Sequence, residues 1–237
     1  MSSKSKLDPY RGVLNPFQIS EGIRAAKANG ARLFKDAEML YEAKRYPTAS
    51  SLAILAIEEF GKVPILRRMA LAASPDDWKT CWKDFSSHLT KAQSWTVPFL
   101  IKTSKGTTDE KYQTFREKQE PELLNSLKQI GIYVGCYARA HWSIPDQVIE
   151  KENADVAMHS ARIFVFGSQP SEYDTPSALQ EWAKQMKGCY SIDYATANNR
   201  VIEFLKSLSP GHEPHVPPVV AFEFVSTVMY LSENVTK

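Results

Sequence analysis

Residues 51–66 read SLAILAIEEFGKVPIL, and in its first half apolar side chains occupy almost every face of any helix the segment forms. Such a helix cannot lie on a surface with one side in water. It belongs in the middle of a bundle, packed on several sides. The chain is therefore expected to fold around a helix over 48–69, and Glu58 and Glu59 are expected to go inside with it. Gly61 and Pro64 are expected to kink its second half.

The remaining segments supply the helices around it. Apolar residues fall at helical intervals from Phe17 to Lys44, and Pro47 disfavours the α conformation in the residue before it, which ends that helix. Pro47 then suits the first turn of the central helix. Ser74-Pro75-Asp76-Asp77 is a helix start, with a capping hydroxyl, a proline and two acids near the positive end. That third helix is expected to run through His88 to about residue 102, with a bend near Ser86-Ser87. A loop over 103–109, a helix over 110–137 interrupted at Pro121, a turn over 142–145 and helices over 150–166 and 177–208 follow. Gly167 to Pro176 reads as a loop, SPGHEPHVPP as a Pro-rich connection, and 219–232 as a last apolar segment, helical or extended. Short apolar runs at 162–166 and 219–225 are weak strand candidates. The sum is all-α: an irregular multi-helix bundle. Residues 1–16 form a flexible N-terminal arm, and 17–237 form a single helical domain in which 170–237 are a candidate C-terminal appendage.

Composition narrows the function classes. Lys and Arg number 29 against 27 Asp and Glu, a net charge of +2, so any anion site must be a local patch. The three cysteines, Cys81, Cys136 and Cys189, are odd in number and widely spaced, which argues against a disulfide framework or a zinc site and for the cytoplasm. No signal-peptide pattern is present and no apolar run is long enough to span a bilayer. Phosphate loops, GxSxG and HExxH are absent from the sequence.

The candidate chemistry lies in Glu58, Glu59 and Lys62 on the central helix, and in His88 and Lys91 on the next. Glu58 and Lys62 are four apart and Glu59 and Lys62 three apart, so they share a face. A buried carboxylate costs several kcal/mol unless it is paired, and His88 and Lys91, three apart, are the natural partners on an antiparallel neighbour. Three readings follow. The cluster is a salt-bridge network that fixes two helices in register. Or it is a polar site in which His88 is a general acid/base, the carboxylates orient it, and Lys62 and Lys91 hold an anion such as an RNA phosphate. Or it is a carboxylate metal site of the Glu-x-x-His kind; here the matching spacings give Glu59-x-x-Lys62 and His88-x-x-Lys91, and lysine is a poor ligand, so neither metal nor cofactor is expected. Elsewhere, Arg139, His141 and Trp142 form a small basic-aromatic patch or a helix end. His159 near Arg162 reads as a surface residue, and His212 and His215 lie in a loop. Arg67-Arg68 is expected to be solvated. Tyr41, Tyr46, Trp78, Trp82, Trp95 and Trp182 sit at helical spacings and are expected in the core.

Residues 40–62, LYEAKRYPTASSLAILAIEEFGK, together with FSSHLTK at 85–91 and more weakly GIYVGCYARAHWSIP at 131–145, resemble the AbiV family of abortive-infection proteins, within the helical HEPN group. The resemblance covers residues 17–166 loosely. It implies a bacterial cytoplasmic setting, defence against phage, a homodimer, and in many HEPN proteins a metal-independent ribonuclease. Its motif falls on Glu58, Glu59, Gly61, Lys62, His88 and Lys91. The usual HEPN signature places an Arg a few residues before the His. Here the nearest substitute is Lys83, with four residues between it and His88, a point charge rather than a guanidinium fork. The expected partners are accordingly RNA or, in a non-enzymatic alternative, a phage or host protein bound for a defence or regulatory role.

Overall fold

The computed structural model describes residues 8–91, 120–167, 172–186, 194–208, 224 and 227. Expectations for 92–119 and most of 209–237, and for Trp95, Cys189, His212 and His215, lie outside the described residues. The architecture is helical, as the family resemblance implies. Helix α1 (Pro16–Glu42) starts from Asn15, whose side chain accepts the Gln18 N–H while the Gln18 side chain accepts the Asn15 N–H. This reciprocal cap satisfies two of the backbone donors that a helix start leaves open. A tight turn with Lys44 at φ 59° leads into α2 (Tyr46–Met69), which has a proline in its first turn and continues unbroken through Pro64.

Helix α2 is the centre of the bundle. It is contacted by α1, by α3 (Pro75–Ser86), by α4 (Glu120–Ile130) and by α6 (Lys151–Gly167), as its all-round apolar sequence requires. Between α4 and α6 come two short antiparallel strands, β1 (Gly135–Tyr137) and β2 (His141–Ser143), and the one-turn helix α5 (Pro145–Val148). A 3-10 turn over Glu172–Asp174 precedes α7 (Pro176–Gln185), and α8 is Tyr194–Ser207. One apolar cluster joins Phe34, Ile54, Phe60, Met158 and Phe164 from α1, α2 and α6. A second joins Ile23, Val63, Leu66, Trp78 and Leu179. A third, with Trp182, Phe204 and Phe224, packs the C-terminal helices. Each fully buried side chain of this size contributes roughly 1.5–3 kcal/mol.

Four expectations are corrected. The third helix does not bend near Ser86-Ser87 but stops: Ser87 is extended (φ −81°, ψ 120°), and a new helical turn begins at His88. The Ser87 hydroxyl accepts the Thr90 N–H and its carbonyl accepts the Lys91 N–H, so Ser87 caps the new turn. Residues 131–137 are not helix. Helix α4 ends at Ile130, and the Gly131 to Gly135 stretch, rich in β-branched and aromatic residues, turns into the hairpin. His141 therefore lies on a strand and not at a helix end. The run 162–166 is part of α6, not a strand. Arg67 and Arg68 are buried, 0% and 3% exposed, because each meets a buried carboxylate, Asp174 and Asp84 respectively.

Candidate functional site

Glu58 sits where the sequence places it, on α2 and 3% exposed. Its carboxylate is shared. One oxygen lies 2.6 Å from His88 Nδ1, and the other accepts a hydrogen bond from Lys128 Nζ on α4. The Lys128 ammonium also stands 3.3 Å from His88 Nδ1. An ammonium has only protons to offer, so the arrangement is consistent when both neighbours donate to the carboxylate: Lys128 donates to Oε1 and His88 Nδ1–H donates to Oε2. That tautomer leaves Nε2 as the acceptor nitrogen. The His88 side chain is 57% exposed while its carboxylate partner is 4% exposed, so the imidazole is held from inside and open outside.

Backbone packing sets this geometry. A Cβ on Gly61 would fall 2.0 Å from the Lys91 carbonyl oxygen, so the turn carrying His88 and Lys91 rests directly on α2 at a glycine. On the other side Ser51 Oγ donates to the Lys128 carbonyl at 3.0 Å, which fixes the end of α4 against α2. The two segments that supply His88 and Lys128 are thus clamped to the helix that supplies Glu58.

Lys91 is 7% exposed, and among the described residues its ammonium has no hydrogen-bond or ion-pair partner. Burial pushes its pKa down, Glu58 opposes that shift, and Lys62 adds to it. Lys62 pairs with Glu59 at 2.6 Å and lies 5.3 Å from the centre of the Phe85 ring. Two carboxylates, Glu58 and Glu59, therefore face three ammonium groups, Lys62, Lys91 and Lys128, which leaves one positive charge in excess before His88 is counted. A buried ammonium with no partner and a surplus of positive charge favour an anion. The neighbours of Glu58 are cations where a metal centre would need ligands, and among the described residues no three His, Cys, Asp or Glu side chains come together.

Of the residues singled out from sequence, Glu58, His88 and Lys91 converge, and Glu59 and Lys62 flank them as a pair. Lys83 is exposed on α3, and none of these bonds reaches it. Lys128 was missed. It lies 70 positions from Glu58, but its own surroundings carried a signal: Leu124, Leu127 and Lys128 fall at i, i+3 and i+4 on α4, so a lysine occupies a core position and is only 4% exposed. His159, exposed on α6, borders a cleft of about 180 Å³ with Glu38, Tyr41, Glu42, Asp155 and Arg162, where Arg162 pairs with Glu38 and Lys151 with Asp155.

Among the described residues no helix is long and apolar enough to cross a membrane. Comparison with curated proteins and with solved structures finds no match to the chain. The family model HEPN_AbiV, described as AbiV, matches residues 18–165, which span α1 to α6 and include Glu58, His88, Lys91 and Lys128. A match over more than half of its length, centred on the helices that build the site, makes this chain a member of the AbiV family of HEPN proteins.

Proposed function

We propose that the protein is an abortive-infection defence effector that cleaves RNA without a metal, at the site built on Glu58 and His88. Family membership supports the defence setting. The observation that supports the chemistry is the exposed His88, held through Nδ1 by a buried carboxylate, beside the unpartnered ammonium of Lys91. An imidazole anchored this way is oriented for proton transfer at Nε2. In the proposed step Nε2 takes the proton of a ribose 2′-hydroxyl, and the 2′ oxygen forms a bond to the adjacent phosphorus. The bond from phosphorus to the 5′ oxygen breaks, that oxygen takes a proton from solvent water, and His88 returns its own proton to solvent. A 2′,3′-cyclic phosphate and a 5′-hydroxyl end result. Lys91, with Lys62 at the rim, stabilises charge on the non-bridging oxygens, and Lys128 holds the Glu58 carboxylate in place behind His88 by a hydrogen bond. The setting is the cytoplasm, and a homodimer is the assembly expected from the family resemblance.

The test is incubation of wild type and His88→Ala with labelled RNA in the presence of EDTA. Wild type should yield cyclic-phosphate ends, and the variant should lose about 10²–10⁴-fold in rate, the range for a positioned acid–base group. Its melting temperature should change little, because the side chain is more than half exposed. Equal rates in the two proteins would end the proposal. No cleavage by wild type would favour the alternative in which the protein acts by binding another protein.

A further inference from the structure

The hairpin after α4 takes no part in the chemistry above, yet it is built as a contact surface. The register pairs Cys136 with Trp142 and Tyr137 with His141, so Trp142 lies on one face of the two-stranded ribbon and Tyr137 on the other. Both faces are open. Tyr137 is 53% exposed and Trp142 68%, the most exposed large apolar side chain among the described residues. Tyr133, 64% exposed, extends the surface back toward α4. Two strands alone bury too little to be stable in water, and clustered apolar side chains in open solvent mark a binding surface.

The residue types indicate what covers it. From Gly131 to Pro145 the chain has no carboxylate, while Arg139 stands at the tip of the ribbon and His141 beside Tyr137. Open aromatic rings beside a guanidinium, with no acid from Gly131 to Pro145, match the unpaired bases and phosphates of a single strand. A duplex hides its base faces, and an acidic protein surface would leave the rings without their complement. The position agrees. Gly131 lies so close to the N-terminal part of α2 that a Cβ there would fall 2.3 Å from Ser51 Oγ, and Lys128, a turn earlier, reaches Glu58. The ribbon thus leaves the fold next to the residue that completes the site.

We infer that the hairpin is a stacking arm for single-stranded RNA, on which an unpaired base next to the phosphate at the Glu58 site lies against Trp142. The inference rests on the proposed phosphodiester chemistry for where the strand runs, but not for the stacking itself. It is tested by fluorescence anisotropy with a labelled unstructured RNA dodecamer, in a His88→Ala background so that nothing is cut. Adding Trp142→Ala should weaken binding by roughly fivefold to a hundredfold, the range for loss of one base–aromatic stack, and Trp142→Phe should recover most of it. Pairing the RNA with its complement should weaken binding to the parent and abolish the difference between parent and variant. Equal binding with and without Trp142, or no binding by the parent, overturns the inference. If light scattering then shows a mass that falls on Trp142→Ala, the arm is a contact between chains. RNA that is bound through Trp142 but never cut by wild type sinks the ribonuclease reading alone, whereas cutting with binding indifferent to Trp142 sinks the arm alone.

Discussion

Helix α2 carries two buried ion clusters a few turns apart, and they are built to opposite rules. At its C-terminal end Asp174 receives Lys27 Nζ at 2.7 Å on one oxygen, and Arg67 Nε and Nη2 at 2.9 and 2.6 Å on the other. The three side chains are between 0% and 6% exposed, Phe224 covers the guanidinium at 3.9 Å, and Trp182 Nε1 donates to the Arg67 carbonyl at 3.3 Å. Every strong charge there meets an opposite one and water is shut out. Around Glu58, by contrast, His88 opens to solvent and Lys91 is buried with no hydrogen-bond or ion-pair partner among the described residues. Burial alone therefore does not identify a site, because both carboxylates are equally hidden. What separates them is whether the charges close on themselves. The first cluster ties α1, α2 and the segment after residue 170 together; the second, among the described residues, carries one ammonium more than its carboxylates match.

The largest effect expected from this contrast is on stability, at the closed cluster. Asp174→Ala removes the buried carboxylate that Arg67 and Lys27 share and should cost about 3–5 kcal/mol, read by thermal or urea unfolding. RNA cleavage below the melting transition should persist, and its loss in a protein that is still folded would break the distinction. The pH dependence has a definite sign. Burial pushes the Asp174 carboxyl up, but Arg67 and Lys27 more than offset that and hold its pKa below the usual range. The group therefore contributes its full stability above the unfolded value of about 3.9 and loses it as pH falls through the folded pKa. The difference in melting temperature between wild type and Asp174→Asn should narrow as pH is lowered from 5 toward 2.

The two clusters also differ in how far they can be read from sequence. Glu58 and His88 lie 30 positions apart on consecutive helical segments, and an acid on an all-apolar helix demands a partner that His88 is placed to supply. Asp174 meets Arg67 across 107 positions, and no spacing rule connects them, so Arg67-Arg68 reads as a surface pair until the fold is seen. Lys128 is intermediate, since its place in the apolar stripe of α4 was visible but its distant partner was not. The hairpin escaped for another reason: strands of three residues are too short to show a period of two. The helices themselves were readable because caps such as Asn15 and Ser74 and the prolines at helix starts act locally.

A smaller effect is expected at the contact that positions the open cluster. In an exposed helix Gly→Ala stabilises by about 1 kcal/mol. Gly61→Ala should do the reverse, because the new Cβ would meet a backbone oxygen of Lys91 that no side-chain rotation can clear. A net loss of about 1–3 kcal/mol is expected. Cleavage should fall more than stability does, since the displaced turn carries both His88 and Lys91. A stabilised and active Gly61→Ala protein would show that this close approach is not what places the imidazole.

The smallest effect sharpens the contrast most, because its sign is opposite at the two clusters. A lysine buried without a partner pays for its charge in the folded state, which is why burial lowers the pKa of Lys91. Its folded pKa lies below the unfolded value of about 10.4, so the cost is present below the folded pKa and is relieved as pH rises toward the unfolded one. Lys91→Met keeps most of the apolar stem and removes the charge, so it should stabilise the protein by about 1 kcal/mol at neutral pH. It should also weaken phosphate or RNA binding at the site. Lys27→Met, the matching change at the closed cluster, should destabilise instead, because Asp174 loses a counter-charge that nothing replaces. Paired unfolding curves of the two variants decide the point. If both destabilise, Lys91 has a partner in the folded chain and the second cluster is a lock like the first. If only Lys91→Met stabilises, that ammonium is kept at a cost that the fold does not need, and the cost is explained by an anionic ligand.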